Sequence, residues 1–418
     1  MRLKFIVLLF FVCAITGVKA QGVDEYMSGL LEDADWFELE EVYFRKKAEM
    51  QSDMLKQLTE AMLHAHFNQP EAAINSLDTL LSYHQNELGF NSVSDLIALK
   101  SRLYAEQGLY QDASDNCAHF LNQLAAFNVS KDSFPTHLFI QRHYDEIAYI
   151  PKPGIIRPDR DVEIPLEIKN SGLGNLMYIP VTVHGKEYHF MFDTGIDFTY
   201  LSDRMAKEMN IHISYESDEI KGIGKEVGKI GAIDSMQIGD MKIKDVLVMV
   251  GTSAIEGNEA FQVDAILGLD FFRLVGEIQF FPKEGKVVFP INRTKRPKSG
   301  RNLMIDHNRL YLKAYSGKER LIFQMNTSDL SSGLYYPYYM KHEKLIESKG
   351  TKESMNVYRL PQLPLKIGKK KLKLKHVPVS TEKMATIHQN GDGALGMDFI
   401  TQFKKVVINF DQMFVEVK

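Results

Sequence analysis

Cysteine is nearly absent: the 418-residue chain holds two, and Cys13 falls in a stretch that reads as a leader, which leaves Cys117 alone. One thiol cannot close an internal disulfide, so the core must hold the fold, and this length with 44% hydrophobic residues is ample for that. Excess charge of one sign is missing too. The net charge is −4, and the lysine run at residues 366–376 has no interleaved aromatics, so nucleic acid is not an expected partner. In that run Leu372 and Leu374 alternate with Lys371, Lys373 and Lys375, the pattern of a half-buried hairpin whose lysines discourage edge pairing. No His-Glu-x-x-His, Gly-x-Ser-x-Gly or Gly-x-x-x-x-Gly-Lys-Ser/Thr occurs, and the 13 histidines are scattered, so neither a metal nor a cofactor is expected. Beyond residue 20 no apolar run reaches 18 residues, and no transmembrane span is expected.

What is present begins with a positive segment at residues 1–4, an apolar stretch at 5–15 and the small-residue pattern Val18-Lys19-Ala20. Residues 1–20 therefore read as a signal peptide, and the protein is expected to be exported, to a bacterial periplasm, a cell surface or the medium. Residues 21–134 are rich in Leu, Ala, Glu, Gln and Lys, with Met54, Leu55, Leu58, Met62, Leu63 and Phe67 at helical spacing. Residues 102–113, with Gly108 and Ala113 at small positions, resemble the turn of a tetratricopeptide repeat, and residues 66–73 look like a degenerate copy. That resemblance implies helical pairs with a surface for a protein partner. A plain helical cap or prosegment is the other reading. Pro151, Pro153, Gly154, Pro158 and Pro165 interrupt residues 135–165, which read as a connector.

From residue 166 the period changes. Residues 178–183 and 188–192 are β-rich runs flanking His184-Gly185-Lys186-Glu187, a hairpin signal, and the second runs into Asp193-Thr194-Gly195. A carboxylate at the mouth of a strand can activate water, but alone it is half a catalyst. Two close carboxylates resist ionising together, so one stays protonated as acid while the other acts as base. Further on, Ile266-Leu267-Gly268 closes an apolar strand, and between the two motifs lie Gly222-Ile223-Gly224 and residues 228–231, a Gly-punctuated hairpin tip.

This order resembles the retropepsin and pepsin clan of aspartic proteases. The resemblance implies Asp193, Thr194 and Gly195 as the catalytic turn, Ile266, Leu267 and Gly268 as its support, and Gly222, Ile223 and Gly224 as a flap. The module is also duplicated. Residues 308–334 match residues 175–201 with one inserted residue, so that Gly185 falls on Gly317, Phe190 on Phe323 and Thr194 on Thr327. Residues 367–379 and 393–400 then match 238–248 and 265–272. The expected fold is multidomain α plus β: a helical, tetratricopeptide-like domain, then a bilobal, mainly antiparallel, pepsin-like β domain. Its lobes are residues 166–292 and 303–418, joined by a basic linker at 293–302.

The second lobe departs from the family at its centre, where Asn326-Thr327-Ser328 replaces Asp-Thr-Gly. An amide neither gives nor takes a proton in the working range. Asp329 is expected to lie past the turn. Three readings stay open: an aspartic-type peptidase acting through Asp193, with a second carboxylate supplied by another copy in a homodimer; a catalytically inactive protein that binds peptides in the same cleft; and a β scaffold for a function carried by the helical repeats. The first two take a peptide or protein as ligand.

Overall fold

A computed structural model describes residues 21–170, 175–221, 227–251, 263–383 and 391–418. The chain divides into two compact units, Met1–Lys152 and Pro153–Lys418.

In the first unit the described residues form the α-helices Gln21–Glu32, Trp36–Lys46, Asp53–His66, Pro70–Tyr83, Gln85–Glu106, Tyr110–Ala126 and Pro135–Glu146. Apolar residues at three- and four-residue spacing build its core: Met54, Leu55, Leu58, Leu63 and Phe67 are all buried, as their spacing requires. Asp35 and Ser52 cap two of the helices, accepting from Glu38 N at 3.1 Å and Leu55 N at 3.1 Å. The helices reverse at Asn68 (φ 55°) and Gly108 (φ 72°), inside the two segments singled out for their small and turn-forming residues. Part of the segment read as a connector is helix instead. Pro135 stands at the first turn of Pro135–Glu146, where its missing N–H leaves no helical bond unmade, so a proline there starts a helix.

The second unit is β-rich. Its first sheet runs Gly154–Ile156, Met241–Gly251, Tyr200–Ser202, Ala265–Leu267, Lys186–Phe192, Asn175–Val183, Val227–Ile238 and Ile213–Lys221, with Glu167–Asn170 added on Asn175–Val183. Val227–Ile238 pairs with both Asn175–Val183 and Met241–Gly251, which closes the path into a barrel. A second sheet runs Leu303–Asp306, Arg309–Ser316, Glu319–Met325, Gly393–Leu395, Gly333–Leu334, Lys370–Ser380, Val357–Ile367 and Thr351–Ser354. It closes the same way, through Val357–Ile367 on Arg309–Ser316. The two closed paths have the same strand order and directions, as a duplicated module requires. In the lysine-rich hairpin Lys371, Lys373 and Lys375 are exposed as expected, while of the two leucines Leu374 is buried and Leu372 only half-buried.

A five-stranded sheet joins the barrels: Val162–Pro165, Lys286–Phe289, Glu277–Phe281, Val406–Asn409 and Phe414–Val417. Its central pair, Glu277↔Asn409 to Phe280↔Val406, brings one strand from each copy together. Above this sheet lies an aromatic core in which Phe192 is fully buried, 5.4 Å from the Phe280 ring and 5.5 Å from that of Phe272. Phe272 continues to Phe410, 5.7 Å away in the second copy. The residue before Asp193 is thereby fixed from below.

Candidate active site

The strand Lys186–Phe192 delivers Asp193 to the centre of the second unit, and Ala265–Leu267 runs parallel beside it, pairing Ile266 with Met191 and Leu267 with Phe192. Asp193 N then donates to Leu267 O at 3.1 Å. The second copy repeats each step: Gly393–Leu395 runs parallel to Glu319–Met325, and Asn326 N donates to Leu395 O at 3.0 Å. A Cβ on Gly268 would come within 2.5 Å of Phe198 O, so the chain passes there only with glycine.

The two turns interlock through their threonines. Thr194 N donates to Thr327 Oγ1 at 3.0 Å, and Thr327 N to Thr194 Oγ1 at 3.2 Å. Each hydroxyl then donates to a carbonyl of the opposite strand, Thr194 to Met325 O at 2.8 Å and Thr327 to Phe192 O at 3.0 Å. Both threonines are buried. These bonds form within one chain, so the surface through which two first copies could pair symmetrically is taken by the second.

Asp193 is 4% exposed. Its Oδ1 accepts from Gly195 N at 2.7 Å, and the Ser328 N–H and hydroxyl, which donate to Asn326 Oδ1, lie close enough to favour its charged form. Burial raises its affinity for a proton above that of an ordinary aspartate, while these hydrogen bonds and the Arg309 charge pull the other way. Gly195 is required by proximity: a Cβ there would collide with Asn326 Oδ1 and lie 2.9 Å from Asp193 Oδ1. Asn326 thus occupies the place that mirrors Asp193, its Oδ1 accepting from Ser328 N at 3.2 Å and Ser328 Oγ at 2.8 Å.

Asp329 does not lie past the turn. Its N–H donates to Asn326 O at 3.1 Å, a bond that folds residues 326–329 back on themselves. Asp329 O accepts from Met397 N at 2.8 Å as Ile196 O accepts from Leu269 N at 3.0 Å, so Asp329 takes the backbone slot of Ile196 in the other copy. Its carboxyl lies near the Asn326 side chain and feels the charge of Asp193. Burial first, and that charge second, push it up to about 6. Tyr335, raised to about 12 chiefly by burial, is the neighbouring phenol.

Of the residues expected at the site, Asp193, Thr194, Gly195, Asn326 and Thr327 come together, with Ile266, Leu267 and Gly268 as the adjoining support. Gly222, Ile223 and Gly224 lie outside the described residues; the strands leading to them, Ile213–Lys221 and Val227–Ile238, pair as a hairpin with Lys221 opposite Val227. Arg309 was missed, Ser328 was read only as a departure from the family's Gly, and Asp329 was set past the turn. For Asp329 the signal was the internal repeat, which sets a carboxylate opposite the apolar Ile196. Among the described residues no group of three or more His, Cys, Asp or Glu is arranged to hold a metal.

Residues 179–274 match the family model of the gag-polyprotein putative aspartyl protease. That segment is similar to a retropepsin-like aspartic protease domain. Solved structures similar to this chain include basic 7S globulin from soybean, at 10% identity and a TM-score of 0.42 over 62% of this chain and 95% of that one. Conglutin gamma, a basic 7S globulin from lupine seeds, matches at 10% identity and 0.41 over 62% and 94%. A retropepsin-like aspartic protease from Rickettsia conorii matches at 16% identity and 0.24 over 33% and 92%.

Proposed function

We propose that the protein is an exported aspartic-type peptidase with a pepsin-like, bilobal β domain, in which Asp193 activates a water for attack on a peptide carbonyl. The observation that carries this reading is the threonine interlock. It holds a buried carboxylate, raised in proton affinity, at the junction of two copies of one module, where a base must be rigid and shielded from bulk water. Ile196 and Leu330 pack beside it on a cluster of Leu176, Met191, Tyr200, Val263 and Ile266, an apolar wall suited to a hydrophobic side chain next to the scissile bond. An extended peptide would lie across this wall and pair by its backbone with the hairpin of Ile213–Lys221 and Val227–Ile238. The export reading rests on residues 1–20 and the partner role of the helices on the tetratricopeptide-like turns at 66–73 and 102–113; both are proposals of the same kind.

A second reading is favoured by one observation, Asn326 at the mirror position of Asp193: the cleft binds peptides and does not cut them. Incubating the mature protein with a diverse peptide library from pH 3 to 8, beside Asp193→Asn, separates the two. Cleavage that falls by about 10²–10⁴ in Asp193→Asn is the expected result. A parent with no cleavage at any pH, yet able to retain peptides, would leave the binding reading standing alone.

A further inference from the structure

Asn326 cannot carry a proton between substrate and solvent, so a peptidase built on Asp193 lacks its acid unless another group in the same cleft supplies it. The first requirement is position. The i to i+3 bond from Asp329 N to Asn326 O at 3.1 Å, with Asp329 O held by Met397 N at 2.8 Å, returns Asp329 to the site and sets its carboxyl near the Asn326 side chain, in the field of Asp193. The second is the state of the neighbours. Asn326 Oδ1 is engaged by Ser328 N and Oγ, while Gly195 N donates to Asp193 Oδ1, a bond that favours the ionised form of Asp193. Asp329 is near enough to Asp193 to feel its charge, and two carboxyls so placed resist ionising together. The third is origin: the equivalent residue in the first copy is Ile196, so the carboxylate is present on one side only, the side where the usual one is absent.

We propose that Asp329 is the second catalytic carboxylate of this site, displaced three residues from the position held by Asn326; the inference rests on the peptidase reading. In the resting site Asp193 is ionised and Asp329 protonated. Asp193 takes a proton from water as the water oxygen bonds to the peptide carbon, and Asp329 gives its proton to the carbonyl oxygen, leaving a gem-diol. On collapse the Asp193 proton moves to the amide nitrogen as the C–N bond breaks, and one diol hydroxyl returns its proton to Asp329. The products are a carboxylic acid and an amine, and both side chains regain their starting states.

The test uses the mature full-length chain and its variants Asp193→Asn, Asp329→Asn, Asp329→Glu and Asn326→Asp, each checked for folding by its melting transition, with kcat and KM measured from pH 3 to 8. The expected result is that Asp329→Asn loses about 10²–10⁴ in kcat with a smaller change in KM, and that the parent's fall in activity above pH 6 is absent from what remains. Asp329→Glu restores part of kcat with a displaced alkaline limb. If the parent cleaves through Asp193 while Asp329→Asn keeps kcat within about threefold and the same limb, the assignment of Asp329 is overturned and the peptidase reading survives. A silent parent whose Asn326→Asp variant cleaves also overturns it, since the cleft is then competent and Asp329 has failed to replace the missing carboxylate. Silence in both parent and Asn326→Asp overturns the peptidase reading, and the assignment of Asp329 with it.

Discussion

At the scale of single residues, the site depends on hydroxyls that satisfy backbone groups sealed away from water. Thr327 Oγ1 accepts from Thr194 N and donates to Phe192 O, both bonds buried. Replacing it with valine keeps the shape and leaves a donor and an acceptor unpaired, at about 1–3 kcal/mol each. Thr327→Val is therefore expected to lose about 2–5 kcal/mol by chemical denaturation, together with most of the activity, while Thr327→Ser stays near the parent. Equal stability of the valine and serine variants would refute the role given to this hydroxyl. Asp193 and Thr194 were legible in the sequence as a motif at the end of a strand, and Asn326 and Thr327 as its repeat. Asp329 was not, because a linear offset of three residues does not tell whether the chain runs on or doubles back. The turn at 326–329 doubles back.

Among the elements, hairpins were the legible part. His184 (φ 49°) and Gly185 (φ 79°) form the tight connection that the alternation on either side called for. The five-stranded sheet was legible only in part: residues 276–281 and 286–289 read as strands, but their long-range partner did not. Glu277–Phe281 with Lys286–Phe289, and Val406–Asn409 with Phe414–Val417, are local hairpins, but the two hairpins lie more than a hundred residues apart and nothing local in Glu277–Phe281 names Val406–Asn409 as its neighbour. What fixes that pair is chemistry between distant residues: the fully buried Glu277 accepts from Thr294 N at 2.8 Å, Thr294 Oγ1 at 2.7 Å, Gln279 Nε2 at 2.6 Å and Asn409 Nδ2 at 2.6 Å. The basic linker is pinned by the same group through Thr294, and by Arg293 Nε to Asp411 at 2.8 Å. Glu277→Ala strips four donors of their acceptor, and a loss of at least about 3 kcal/mol is expected, since breaking a buried network exposes each partner's desolvation cost. Phe192→Ala, which opens a cavity directly under Asp193, should cost about 3–5 kcal/mol and lower kcat as well. A Phe192→Ala enzyme with parental kcat would mean that the aromatic core supports the fold without aiming the carboxylate.

For the whole molecule the consequence is a dependence of stability on pH that is opposite in sign to that of salt-bridged carboxylates. Asp270 and Asp329 are each raised from the ordinary 3.8 to about 6, Asp270 by burial against hydrogen bonds from Thr199 and Phe271, Asp329 by burial and the Asp193 charge. Raised carboxyls bind protons more tightly folded than unfolded. Their contribution to stability is complete below about pH 4 and is lost as pH climbs through about 6. Carboxylates held low, Glu167 by Lys169 and Glu353 by Arg359, act in the reverse direction, but they are exposed and weigh little. Asp270→Asn keeps the shape and removes the titration, so its stability relative to the parent should improve steadily from pH 4 to pH 7. The probe has to report the β unit. Trp36, the one tryptophan of the chain, lies in the helical unit, so tryptophan fluorescence follows that unit while the far-ultraviolet β signal follows the other. A denaturant midpoint for the β signal that moves in parallel for parent and Asp270→Asn across this range would show that burial has not raised Asp270. A gap that widens with pH, with the tryptophan transition unchanged, would place the effect in the unit that holds Asp193.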